Sequence, residues 1–135
     1  MTPAAMTRVA LDRRSAIVRL DVVHLHDHAA SPAPIAPEAL DRLEGAFRHR
    51  IIDPVAIDAT LAVIVATTAA PQRHRAELRW KLSFRDRDGR PVLELWHESF
   101  EPYGRIGSVE VRFAGDGILR FLRTRFVPLE AKPVA

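Results

Sequence analysis

The sequence predicts an α+β domain in which a curved antiparallel sheet of five to six strands packs on one main helix. Three observations predict it. Several short runs alternate apolar and polar residues at the two-residue period of a half-buried strand, and one run repeats apolar residues at helical spacing. Between two of the alternating runs lies Asp88-Gly89, the pair favoured in a tight hairpin turn.

At 135 residues the chain has the length of one domain with one core. Residues 1–14 are polar and unpatterned and are expected to form a flexible N-terminal arm. Residues 15–128 are expected to form the single α+β domain, and 129–135 a C-terminal tail. Ser15 to His26 reads as a strand, since Val18, Leu20 and Val22 alternate with Arg19 and Asp21. Three prolines in Ala29 to Pro37 then require a loop. Pro37 and Glu38 suit a first helical turn, and Leu40, Leu43, Phe47 and Ile51 follow on one helical face, so a helix is expected to end before Asp53-Pro54. Ile57 to Thr68 alternates and is expected to be a central strand.

The clearest signal is the hairpin. Leu78, Trp80, Leu82 and Phe84 alternate with Arg79, Lys81, Ser83 and Arg85. A two-residue type I′ loop at Asp88-Gly89 places Phe84 opposite Leu93, Leu82 opposite Leu95, Trp80 opposite His97 and Leu78 opposite Ser99 on the core face. The other face pairs Arg79 with Glu98, Lys81 with Trp96 and Ser83 with Glu94. Val109, Val111 and Phe113 form a further strand. Ile118 to Val127 is expected to be another, although Ile118, Leu122 and Phe126 also share a helical face.

Composition narrows the chemistry. The absence of cysteine excludes disulfides, thiolate nucleophiles and the usual structural zinc sites. No apolar run reaches the roughly 18 residues of a membrane span, and the first residues lack a secretory signal, so a cytoplasmic protein with no membrane partner is expected. Eighteen arginines against two lysines is the usage of a high-GC bacterial genome. A net charge of +3 with interspersed acids gives no platform for nucleic acid. No cofactor is expected.

Histidines are the candidate functional groups. Val22-Val23-His24-Leu25-His26-Asp27-His28 carries three of the six in the chain. His24 and His26 on one strand face would have Cα atoms roughly 6.6 Å apart, close enough to grip one metal or line one pocket. The string falls one residue short of the metallo-β-lactamase spacing, and no metal ligand set is assigned. An unbroken strand puts His24 and His26 on the core face; a bulge at Val22-Val23 turns both to water. Both readings stay open. The hairpin register directs His97 inward beside Trp80, where an imidazole suits acid or base work. His97 and Tyr103 are therefore the catalytic candidates, and Trp80, Ser99, His24 and His26 the ligand-binding ones.

The run Gly115-Asp116-Gly117-Ile118-Leu119-Arg120-Phe121-Leu122-Arg123, following an alternating strand, loosely resembles the end of an NTF2-like or cystatin-like cone, and a strand placed before the helix suits a hot-dog-like order equally. The function expected is a pocket protein that binds a small organic ligand, with possible His-based acid/base chemistry of an isomerase, cyclase or hydrolase kind. Whether it is an enzyme stays open. Two alternatives stand beside it: a non-catalytic subunit that forms a homodimer or docks a partner protein through Trp96 and Val92 on an exposed sheet face, and a His-ligated metal-binding protein.

Overall fold

In the computed structural model, residues 1–25, 46–74 and 77–126 are described. They form, in chain order, α1 (Pro3–Asp12), β1 (Ile17–His24), β2 (Phe47–Ile51), α2 (Pro54–Ala66), β3 (Ala69–Pro71), β4 (Trp80–Asp86), β5 (Pro91–His97), β6 (Tyr103–Ile106), β7 (Val109–Phe113) and α3 (Gly117–Phe126). The class is α+β. Its strands make one seven-stranded antiparallel sheet in the order β2-β1-β4-β5-β6-β7-β3. Side chains from all three helices, among them Ala10, Ile57, Leu61, Ile64, Ile118 and Leu122, share one core with Leu20, Val22, Trp80, Leu82, Phe84, Leu95, Val111 and Phe113 of the sheet. Among the described residues, no helix is long and apolar enough to cross a membrane.

Helix ends explain where the sequence-based expectations fail. The expected flexible arm holds a ten-residue helix, because Thr2 accepts the Ala5 amide and Pro3 fits the first turn. Its Met6 and Ala10 pack on the core. Asp53-Pro54, expected to follow a helix, instead starts one: the Asp53 carboxylate caps the Val55 amide. The segment expected as a central strand from Ile57 is therefore helical to Ala66, with Ile57, Leu61 and Ile64 buried on one face. Most of the helix expected at 37–51 lies outside the described residues, but its last five positions are an edge strand, not a helix. The expected strand at Ile118 to Val127 is α3, and Ile118, Leu119 and Leu122 bury its inner face.

The hairpin keeps the expected pairs. Phe84 faces Leu93, Leu82 faces Leu95, Trp80 faces His97 and Lys81 faces Trp96. The turn that produces them is different. Gly89 donates to the Asp86 carbonyl and Asp86 to the Arg90 carbonyl, so the loop is Arg87-Asp88-Gly89, with Gly89 in the left-handed region at φ 79°. Arg85 then faces Pro91, and Val92 is an extra residue in β5. The longer loop and the bulge cancel, which restores the register beyond them. Leu78 leaves the expected core row and packs with Val23, Leu25 and Trp96 on the far side of the sheet. Arg79, expected opposite Glu98, bonds instead to Glu77 at 2.5 Å.

In β1 the register breaks at Val18, which turns outward and is 45% exposed. From Arg19 onward the pairing is continuous, so Val22 faces Leu82 and His24 faces Trp80. There is no bulge at Val22-Val23. His24 is therefore on the core face, while His26, Asp27 and His28 lie outside the described residues.

Candidate functional site

One transverse row of the sheet collects three of the expected site residues, His24, Trp80 and His97. Crossing from β2 to β7 it reads Phe47, His24, Trp80, His97, Gly104 and Val111, each facing the next. The His24 ring lies parallel to the Trp80 indole at 4.0 Å and stacks on Phe47 at 5.5 Å. The His97 ring stacks on Phe113 at 4.9 Å. Gly104 makes that second stack possible. A Cβ there would stand 2.0 Å from the Trp96 carbonyl oxygen and 2.8 Å from the Phe113 ring, so only glycine lets both strands and the phenyl ring close on His97.

The chemistry of His97 follows from its bonds. Nδ1 lies 2.7 Å from the Glu98 carbonyl oxygen, which can only accept, so the proton sits on Nδ1 and Nε2 carries the lone pair. Nε2 is buried and has no hydrogen-bond partner among the described residues. Burial pushes the imidazole pKa down to about 4; the bond to the Glu98 carbonyl opposes this, and the nearby Arg123 guanidinium adds to it. At neutral pH the ring is an uncharged acceptor.

His97 forms part of the floor of a cleft of about 300 Å³ between the 98–102 turn and the start of α3. Phe100, Pro102 and Leu119 supply apolar walls, and Glu101 and Asp116 supply carboxylates. Phe100 is 70% exposed. Arg123 lies over its ring, 5.1 Å from the centroid, and donates to the Ser99 carbonyl at 2.5 Å, tying α3 to the turn.

Around this turn five buried side-chain atoms lack a hydrogen-bond partner among the described residues: Arg79 Nη1, Trp80 Nε1, His97 Nε2, Glu98 Oε2 and Ser99 Oγ. They sit on consecutive positions of two adjacent chain segments. Buried polar atoms are normally paired, and leaving one unpaired costs about 1–3 kcal/mol. Such a concentration marks a place where stability is given up.

Tyr103 does not join His97. It faces Arg112, one step out of the His97–Gly104 row, and so lies on the opposite side of the sheet with its ring 4.7 Å from His74. Trp96, expected as an exposed anchor, is 6% exposed, with Lys81 Nζ and Arg105 over its ring at 5.4 and 5.6 Å. Val92 packs against the core instead of facing outward. Among the described residues no three His, Asp or Glu side chains are placed to hold a metal ion. Asp116 has no signal in the sequence as a site residue, because it comes beside His97 only where a helix starts at Gly117. Comparisons with protein-family models, with curated proteins and with solved structures each found no match to this chain.

Proposed function

We propose that the protein binds a small organic ligand in the cleft over His97, with the neutral imidazole as hydrogen-bond acceptor. The observation that supports this is the buried Nε2 lone pair, unpartnered and held in one tautomer, under a cleft with apolar walls and carboxylates at its rim. A ligand with an apolar body and one N–H or O–H donor complements it. If the protein is an enzyme, His97 serves as a base and not as an acid, because a ring with a pKa of about 4 carries no proton to donate at neutral pH. Tyr103, on the other side of the sheet, supplies no partner acid. The alternative of a docking face built on Trp96 loses support from that residue's burial.

Phenol is a suitable first probe, having one donor and a small apolar ring. Titration of isotope-labelled protein should shift the His97 ring nitrogen resonances, and His97→Gln should weaken phenol binding by about tenfold, the value of one hydrogen bond to a desolvated acceptor. Phenol that leaves the His97 resonances unmoved would sink the reading.

A further inference from the structure

The turn at residues 98–102 has a second chamber on its other side. It is an open pocket of about 200 Å³ lined by Glu77, Arg79, Glu98 and Ser99, sharing only Phe100 and Glu101 with the His97 cleft. Three glutamates and one arginine line it, in a chain whose net charge is +3, and of the three Glu77 is the one bonded to Arg79. Arg79 gives Nη2 to Glu77 and is left with a bare Nη1. Among the described residues Ser99, 7% exposed, has a hydroxyl without a hydrogen-bond partner, and so has Glu98 Oε2, which lies 3.8 Å from His74 Nε2. The wanted partners are thus of two kinds: donors for Glu98, Glu101 and Ser99, and an acceptor for Arg79.

We infer that this chamber is a binding site for a basic amino acid, with the ammonium groups taken by Glu98, Glu101 and Ser99 and the carboxylate taken by Arg79. A metal ion would satisfy the charge but not Arg79, and no three ligating groups stand close enough together for one among the described residues. The surplus of carboxylates selects a ligand with more positive than negative groups. The exposed Phe100 ring already accepts one cation, Arg123, on its face, which suits a wall against an aliphatic ammonium chain. Burial raises the Glu98 carboxyl; His74 and a backbone hydrogen bond from Glu77 oppose this, and the like charges of Glu101 and Glu77 add to it, so an incoming ammonium favours the charged form. About 200 Å³ has room for a single amino acid.

Calorimetric titration of the full chain with L-lysine, with cadaverine and Mg²⁺ as controls, tests it. L-lysine should bind, cadaverine at least tenfold more weakly because it lacks the carboxylate, and Mg²⁺ should not displace lysine. Glu98→Gln should weaken lysine at least tenfold, and Arg79→Gln should erase the lysine–cadaverine difference. Ser99→Ala, a change that leaves the backbone untouched, should weaken lysine severalfold and stands in if Arg79→Gln fails to fold. Absent lysine binding at millimolar concentration, equal binding of cadaverine, displacement by Mg²⁺ or an unaffected Glu98→Gln protein each overturns the inference. His97→Gln should leave lysine binding intact, and Glu98→Gln should leave phenol binding intact, so the two sites fail separately.

Discussion

The two ends of the β4–β5 hairpin treat polar groups in opposite ways. At the turn end most are satisfied, although Asp21 Oδ1 is buried with no hydrogen-bond partner among the described residues and has only the Arg50 guanidinium at 3.5 Å. The Asp86 carboxylate accepts the Asp88 and Arg90 amides at 3.0 and 2.9 Å, and Arg85 gives Nε to Asp21 and Nη1 to the Gly89 carbonyl. Asp21 in turn collects Arg19 and Arg50. At the open end, the same two strands carry Trp80 and His97, and their extensions Arg79, Glu98 and Ser99, each with a buried atom unpaired. Burial explains part of the contrast: Asp21 and Arg85 keep about a fifth of their side-chain surface in solvent, whereas Trp80 and His97 are at most 1% exposed. A polar group near water can be left loose at little cost, but one sealed from it cannot. The turn end holds the hairpin in register, and the open end leaves buried polar groups unpaired among the described residues.

Breaking the open end at its backbone should have the largest effect. Gly104→Ala forces a Cβ to within 2.0 Å of the Trp96 carbonyl, which no rotamer change relieves, so β5 and β6 must separate. A loss of more than about 3 kcal/mol, or failure to fold, is expected in urea denaturation. Disruption of the His97–Phe113 stack should accompany it, visible as a rise of the His97 pKa toward its ordinary value.

Acid should come next. The folded His97 pKa of about 4 lies below the unfolded value of 6.5, so between these values the unfolded chain binds the proton more readily. Stability is unaffected by His97 above about pH 6.5, falls as pH drops through the window, and levels off below about 4. At pH 4.5 the loss should be about 2.5 kcal/mol. His97→Gln should remove that share of the pH dependence, and an identical pH profile in the variant would mean that His97 is not sealed from water.

How much of this was legible follows from the same contrast. The strand period and the Asp-Gly turn directed His97 inward opposite Trp80, because a hairpin fixes each pair by local arithmetic. The bulge at Val92 was invisible, yet it compensated for the longer loop. Tyr103 was misplaced because its parity depends on β6, whose pairing with β5 is set by the turn at residues 98–102 and not by a recognisable two-residue loop. The helices at Pro54 and Gly117 were missed where a short apolar run fits both periods, as Ile118 and Leu122 do. In the first case Asp53-Pro54 carried the deciding cap signal and was read as a stop. His24 turned on one bulge, which Val18 carries instead of Val22-Val23.

The smallest effects sharpen the comparison most directly. Asp86→Ala removes two hydrogen bonds to backbone amides at the satisfied end and should cost about 1–2 kcal/mol, with phenol and lysine binding unchanged. Ser99→Ala at the open end removes a buried hydroxyl that has no partner among the described residues, so none of them is left unpaired by its loss. Stability should hold or rise by up to about 1 kcal/mol, while lysine binding weakens. The two substitutions thus move in opposite directions on opposite readouts. A Ser99→Ala protein that loses as much stability as Asp86→Ala would show that the Ser99 hydroxyl is engaged within the folded chain, and the open end would then be an ordinary strand terminus.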